Sequence, residues 1–170
     1  MIKQIFAALA GLALCAPLQA RVEDGTKPLL ELMDSSGILV AYNTSDCNDG
    51  KYMGVYRHRG MQRAMVLCPG ATVDAEDHMV VRHETIHAIQ HCVNAARGTH
   101  IRTAIISDDA ELMEFVYKYL SVEAVEQIKQ IYDEQDWRIE FEAFAGMHAY
   151  TSEELMALFK KACLFPETEI

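Results

Sequence analysis

Apolar and polar residues are spaced in two different ways along this chain, and the change between them predicts an α+β fold. Before residue 68 the apolar stretches are mostly short and strand-like, apart from a helical pattern at Lys27–Ser36. After residue 74 apolar residues recur every three or four positions, which is the spacing of amphipathic helices. We therefore expect a small antiparallel β-hairpin or sheet followed by a mostly helical region.

Turn and capping residues divide these two regions into elements. The strand candidates Tyr52–His58 and Gln62–Leu67 surround Arg59-Gly60, which predicts a β-hairpin, and Ile38–Tyr42 is a third strand candidate. A long helix is expected to end before Gly98. The predicted helix starts are Thr72 or Asp74, Asp108 or Asp109, Ser121, and the capping box Thr151-Ser152-Glu153-Glu154.

The long helix contains a His-Glu-x-x-His motif, His83-Glu84-Thr85-Ile86-His87. Residues four apart on a helix face the same side, so His83 and His87 can share one metal ion. Glu84 lies roughly 100° around the helix, where its carboxylate can accept a proton from a water molecule that the metal activates. The flanking residues are mostly apolar, and burying these three polar groups is unfavourable unless a cation satisfies them. We predict His83 and His87 as metal ligands and Glu84 as the catalytic base.

A catalytic zinc site needs a third protein ligand, and the predicted helix at residues 136–148 offers two carboxylates. Glu140 lies at the edge of an apolar helical stripe, whereas Glu142 points roughly the opposite way. An acidic residue on an apolar face needs a partner, so Glu140 is the preferred third ligand and Glu142 the alternative. A buried ion pair of Glu140 with Arg82 or Arg138 is the interpretation that needs no metal.

Three further polar residues near these helices have less specific interpretations. His91 lies two turns, roughly 12 Å, beyond His83, which is too far to share one ion. We expect it in a cleft wall or on the surface. His148 and Tyr150 are candidates for donating a hydrogen bond to an oxyanion, and a structural role is equally compatible with their positions.

With Glu140 as the third ligand, the chain resembles the zincin metallopeptidases, and among them the gluzincin branch. The resemblance rests on the His-Glu-x-x-His motif and on Glu140 followed three residues later by Ala143; the Asp often found next is Phe144 here. It implies a zincin-like fold, Zn²⁺ as the cofactor and a peptide or protein substrate. It also implies that an edge strand of the hairpin holds an extended substrate, although a purely structural hairpin remains the alternative.

Composition and charge limit the function classes. The chain has 170 residues and a net charge of −10, with no stripe of Lys and Arg, which argues against nucleic-acid binding. Residues 1–20 have the features of a cleaved signal peptide, and their apolar run is too short for a membrane span. Residues 21–170 lack repeats and linkers, so we expect a single domain.

Cysteine usage supports export. The four cysteines beyond the leader are an even number, which behind an export signal predicts two disulfides. Cys47 and Cys68 flank the predicted hairpin, while Cys92 faces away from the metal and can reach Cys163 on the last helix. We therefore expect the pairs Cys47–Cys68 and Cys92–Cys163, with free buried thiols as the alternative.

These observations together predict a secreted or periplasmic zinc metallopeptidase. Two alternatives remain open. The first is a binding or structural protein that keeps the scaffold and the metal but cleaves nothing. The second is an amidase that acts on cell-wall peptides, because it uses the same residues and the same chemistry.

Overall fold

A computed structural model describes residues 26–47, 53–60, 62–68, 75–98 and 103–165, without the side chains of 75–78. The expected signal peptide and the proposed caps Thr72 and Asp74 lie outside the described residues. In chain order the elements are α1 (Lys27–Ser35), β1 (Ile38–Tyr42), β2 (Gly54–Arg59), β3 (Gln62–Leu67), α2 (Ala75–Ala96), α3 (Asp109–Tyr119), α4 (Val122–Ile131), α5 (Trp137–Ala149) and α6 (Ser152–Phe159). Short 3-10 helices span Ser45–Cys47 and Glu134–Asp136, and a π-helical turn spans Lys160–Leu164.

The three strands form one sheet with the order β1-β3-β2. Strands β2 and β3 pair antiparallel as the predicted hairpin, and Gly60 in their turn has φ +60°. Strand β1 pairs parallel with β3, with Ile38 opposite Arg63, so the expected antiparallel sheet is in fact mixed. The reason is that the chain crosses from β1 to the far edge before β2 begins, and β3 then fills the position between them.

Two disulfides connect the elements, and both predicted pairings are confirmed. Cys47 follows β1 and Cys68 follows β3, and their Cα atoms lie 5.3 Å apart. Parallel neighbouring strands end at the same edge of a sheet, which brings these two cysteines together. Cys92 of α2 bonds to Cys163 of the terminal π-helical turn, with a Cα–Cα distance of 5.2 Å. The second disulfide therefore ties the end of the chain to the long helix.

Helix boundaries follow the predicted capping residues. The side chain of Asp108 accepts a hydrogen bond from the backbone N–H of Glu111, and Ser121 does the same for Ala124. The Thr151–Glu154 capping box is present at the start of α6. Helix α2 ends at Ala96, just before Gly98, which has φ +69°.

Two clusters of buried apolar side chains meet where α2 and α5 pack together. The first cluster joins α1, the sheet, α2 and α6, and the second joins α3, α4 and α5. A Cβ atom at Gly146 would lie 2.6 Å from Cδ1 of Ile86, so the glycine leaves room for the end of the Ile86 side chain between the two helices. Polar side chains on the facing surfaces of α2 and α5 are consequently buried. None of the described helices is long and apolar enough to cross a membrane.

Candidate metal centre

The two histidines of α2 face the same point in the interior. Nε2 of His83 lies 3.0 Å from Nε2 of His87, and the two rings are nearly perpendicular, at 87°. Each residue is only 7% exposed. The one-turn spacing on a continuous helix produces this arrangement, because residues four apart project from the same face.

Glu140 of α5 completes the group from the opposite helix. Its Oε2 lies 3.4 Å from Nε2 of His83, and its Oε1 lies 3.5 Å from Nε2 of His87. Glu140 is 4% exposed. Among the described residues, these three form the group whose ligand atoms all lie within 4.8 Å of one another. The buried His83–His87–Glu140 group can therefore hold a metal ion.

The distances within this group fit a small tetrahedral ion. Zinc bonds of about 2.0–2.1 Å place neighbouring ligand atoms of a tetrahedron about 3.3 Å apart. The two Nε2 atoms lie 3.0 Å apart, Oε2 of Glu140 lies 3.4 Å from His83, and its other oxygen, Oε1, lies 3.5 Å from His87. Nδ1 of His83 and Oε2 of Glu140 are also buried without a hydrogen-bond partner in the described part of the chain. Two imidazole nitrogens and one carboxylate oxygen are a zinc donor set, so the residues fit the metal that the resemblance implies.

The electrostatics of the group favour positive charge between its side chains. Burial raises the pKa of Glu140, but the imidazoles of His83 and His87 outweigh burial and hold it well below its usual range. Burial lowers the pKa of His87, but the hydrogen bond and charge of Glu140, helped by Glu84 and Gln90, raise it to about 9. An ionised carboxylate is thus buried beside two imidazoles, and a cation is the partner that such a site stabilises.

Gln90, one turn beyond His87, orients the imidazole of His87. Its Nε2 donates hydrogen bonds to the carbonyl oxygen of Ile139 (3.0 Å) and to Oε2 of Glu142 (2.9 Å). Its Oε1 therefore faces Nδ1 of His87, at 2.8 Å, and accepts a hydrogen bond from it. With its proton on Nδ1, the neutral imidazole directs the lone pair of Nε2 at the site, as a metal ligand requires.

His83 is held differently, by aromatic packing. The ring of Phe144 on α5 contacts the His83 ring edge to face, with a centroid distance of 4.5 Å. Tyr132 also packs against Phe144, with a centroid distance of 6.0 Å. Phe144 occupies the position where the resemblance implies an Asp. In this chain an apolar ring at that position therefore packs against His83.

Glu84 lies beside the group and against the edge strand of the sheet. It is 4% exposed, and its Oε2 is buried without a hydrogen-bond partner among the described residues. Burial raises its pKa, while His83 and His87 and the backbone N–H of Tyr56 oppose that rise. A Cβ atom at Gly54 would lie 3.0 Å from Oε1 of Glu84, so the glycine allows β2 to approach the carboxylate.

Glu142, the alternative third ligand, has a different set of partners. Its oxygens accept hydrogen bonds from the backbone N–H groups of Ile105 (2.7 Å) and Ile106 (2.8 Å). The two arginines proposed as metal-free partners of Glu140 are engaged elsewhere. Arg82 donates to the backbone carbonyls of Met147 and Tyr150, and Arg138 pairs with Asp109.

The remaining candidates lie at three different places. His91 lines a cleft, and its Nδ1 is 2.8 Å from the hydroxyl of Tyr56, so the expected cleft-wall position is confirmed. Tyr150 lines a separate apolar cavity of about 410 Å³ together with Glu142. His148 is exposed, eight residues from Glu140 and so about 12 Å farther along α5. Neither His148 nor Tyr150 is placed beside the three-residue group.

The cleft has a volume of about 1240 Å³ and reaches the candidate metal centre at His87. Strands β2 and β3 form one wall and the second half of α2 forms the other, with Ile139 of α5 at the inner end. The edge strand of the sheet thus borders the cleft, as the resemblance implies for a substrate-holding strand. Of the three residues of the group, His87 is the one that lines this cleft.

Family models, curated proteins and solved structures were compared with this chain, and none of them matches it. The geometry alone therefore carries the functional inference. Two contributors to the site were missed from sequence, namely Gln90 and Gly54. An isolated glycine at the start of a strand pattern is a recognisable signal for close backbone approach. A single Gln on a buried helix gives no comparable signal.

Proposed function

We propose that this protein is an exported zinc metallopeptidase in which His83, His87 and Glu140 hold Zn²⁺. The observation that carries the proposal is the convergence of two imidazole nitrogens and one carboxylate, 3.0–3.5 Å apart, in a buried site. When bound, zinc supplies Lewis-acid chemistry, which activates water and polarises a carbonyl group. Glu84 borders the same site and belongs to the same motif.

Glu84 provides the proton transfers in this proposal. Its ionised carboxylate accepts a proton from the attacking water and then donates it to the leaving amine, so the side chain returns to its initial state. Burial raises its pKa in the metal-free fold. The backbone N–H of Tyr56 and the space beside Gly54 orient the group.

Export is the part of the proposal that rests on the cysteines. The disulfides Cys47–Cys68 and Cys92–Cys163 are typical of oxidising compartments, and this supports a secreted or periplasmic location. Signal-peptide cleavage is tested by N-terminal sequencing of the protein recovered from an export-competent host. An intact residue 1 on the recovered protein would contradict the proposal of a cleaved leader.

The decisive test of the enzymatic proposal is the Glu84→Gln variant. Zinc-loaded wild-type protein is incubated with a mixed peptide library, and cleavage is followed by mass spectrometry. We expect Glu84→Gln to keep stoichiometric zinc and the wild-type melting temperature but to lose at least about 100-fold in turnover, because general-base catalysis contributes about 10²–10⁴-fold.

Glu114→Gln is the matched control, since Glu114 is exposed on α3, away from the site. It should behave as wild type in zinc content, stability and turnover. Retained turnover in Glu84→Gln would eliminate the proposed mechanism. A wild-type protein that binds zinc tightly but cleaves no peptide would favour the non-catalytic alternative.

A further inference from the structure

The cleft that leads to His87 has a charge opposite to that of the chain. The whole chain has 25 acidic and 15 basic residues. Among the described residues that line the cleft, however, none is Asp or Glu. Six of them are arginines or histidines, namely Arg57, His58, Arg59, Arg63, His87 and His91. A strongly acidic protein thus surrounds a cleft whose described lining is cationic or neutral.

Most of the positive charge in this cleft is not neutralised by the described residues. Arg57 forms an ion pair with Asp46, at 2.8 Å. Arg63 donates to the backbone carbonyl of Ser36 (2.7 Å), which fixes its position without cancelling its charge. Within the described ranges, neither Arg63 nor the exposed Arg59 forms an ion pair with a carboxylate. Two guanidinium groups therefore remain available to an anionic ligand.

The histidines beside these arginines add hydrogen-bond donors. His58 stacks on His91 with a centroid distance of 4.1 Å. Burial, His58 and Arg63 lower the pKa of His91, which keeps its ring neutral. Burial raises the pKa of Tyr56 to about 12, so its hydroxyl retains its proton and donates to Nδ1 of His91. The remaining proton of His91 is then on Nε2, which is a donor for a carboxylate oxygen.

The edge strand supplies a backbone template in the same cleft. The N–H of Tyr56 points away from β3, toward Glu84. Because backbone directions alternate along a strand, the N–H and C=O of His58, two residues on, also face the free edge. An extended peptide can pair with that edge while its side chains meet Arg57 and Arg59.

We propose that this cleft binds an acidic segment of a peptide substrate and delivers the neighbouring peptide bond to the metal centre. This inference rests on the proposed peptidase function for the delivery step, whereas the charge preference is independent of catalysis. A peptide is favoured over a nucleic acid because the basic region is confined to one cleft of a chain with net charge −10. A long polyanion would be repelled by the rest of the surface.

The preference for acidic peptides is tested by measuring peptide binding with fluorescence anisotropy. The protein used is the zinc-loaded Glu84→Gln variant. Three labelled peptides of about ten residues share one sequence and differ only in carrying Glu, Gln or Lys at four positions. We expect the Glu peptide to bind roughly tenfold more tightly than the Gln peptide at about 50 mM salt, because several exposed charge pairs each contribute a few-fold. The difference should largely disappear at about 0.5 M salt, where screening is strong.

Variants of the cleft locate the effect. Arg59→Gln leaves the fold unaffected, since Arg59 is exposed and outside the ion pairs of the described chain, and it should weaken binding of the Glu peptide about threefold. It should not change binding of the Gln peptide. Lys118→Gln removes one positive charge from α3, outside the described lining of the cleft. It should change the binding of neither the Glu peptide nor the Gln peptide. Arg63→Lys retains the charge and should keep most of the preference.

The outcomes separate this inference from the proposed function. Equal binding of the Glu and Gln peptides overturns the inference, even where the wild-type protein cleaves peptides. A charge preference that depends on Arg59 supports it, even where no cleavage occurs, and in that case the peptidase proposal fails alone. An oligonucleotide of equal charge that displaces the Glu peptide at the same concentration overturns the assignment to peptides.

Discussion

Two carboxylates on one turn of α5, Glu140 and Glu142, are equally buried but have different surroundings. Glu140 is 4% exposed and Glu142 is 5% exposed. Glu140 faces the imidazoles of His83 and His87, whereas Glu142 accepts hydrogen bonds from two backbone N–H groups of the segment before α3. Burial by itself does not distinguish a metal ligand from a structural carboxylate. The hydrogen-bond donors around each carboxylate oxygen distinguish the two residues.

The difference follows from how completely each carboxylate is satisfied. Both oxygens of Glu142 have N–H donors at 2.7–2.9 Å, so the group needs no cation. Oε2 of Glu140 is buried without a hydrogen-bond partner in the described residues. Gln90 connects the two environments, because it contacts His87 through its oxygen and Glu142 through its nitrogen. The structural carboxylate therefore helps to orient a candidate ligand from behind.

The largest expected effect is loss of metal from Glu140→Ala. A residue behind a metal ligand already accounts for about 10- to 100-fold in affinity, so removing a ligand should cost roughly 1000-fold, or about 4 kcal/mol. Competition with a chromophoric chelator and elemental analysis measure the change. Full zinc affinity in this variant would remove Glu140 from the site.

Glu142→Ala should instead reduce stability and retain most of the zinc affinity, because Gln90 keeps its hydrogen bond to the carbonyl oxygen of Ile139. It leaves the partly buried N–H groups of Ile105 and Ile106 without their acceptors, and each lost acceptor costs about 1–3 kcal/mol. We expect the free energy of unfolding to fall by about 3 kcal/mol in urea titrations. If the variant folds normally and loses zinc, the two glutamates have exchanged the roles assigned to them.

Gln90→Leu tests the link between the two carboxylates. His87 would lose the acceptor of its Nδ1 proton, so zinc affinity should fall about 10- to 100-fold, which is less than for Glu140→Ala. Gln90→Glu keeps an acceptor for that proton and should recover part of the affinity. Unchanged zinc affinity in Gln90→Leu would show that His87 needs no such support.

The smallest effect is a difference in pH dependence between metal-free and zinc-loaded protein. The pKa of His87 is raised from 6.5 to about 9 in the fold, so its proton stabilises the metal-free protein fully below pH 6.5. This contribution is lost as the pH rises through 9. The melting temperature of chelator-treated protein should therefore fall between pH 6.5 and 9. In zinc-loaded protein the metal displaces that proton, so this fall should be absent.

Glu142→Gln is the control for the pH experiment. Glu142 accepts its hydrogen bonds away from the imidazoles. This variant should therefore lower the melting temperature of the metal-free and the zinc-loaded protein by the same amount at every pH. Identical pH dependence of metal-free and zinc-loaded wild-type protein would contradict the coupling between His87 and Glu140.

Local rules determined a large part of this fold. The hairpin, the end of α2 before Gly98 and the capping residues Asp108, Ser121 and Thr151 were all predictable, because each depends on residues only a few positions apart. The projection of His83 and His87 from the same side of α2 was predictable for the same reason, because it requires only a continuous helix. The parallel pairing of β1 with β3 was not, because the path between strands depends on contacts distant in sequence.

The spacing of residue types along α2 was enough to predict that the two histidines face the same side and that Glu84 flanks them. Which carboxylate of α5 meets them depends on how α5 is rotated against α2, and this follows from packing between segments distant in the chain. Gly146 contributes to that packing, because it leaves room for the end of the Ile86 side chain. The cationic cleft has the same origin, since residues of β2, β3 and α2 lie far apart in the chain and their charges add only when packing brings them together.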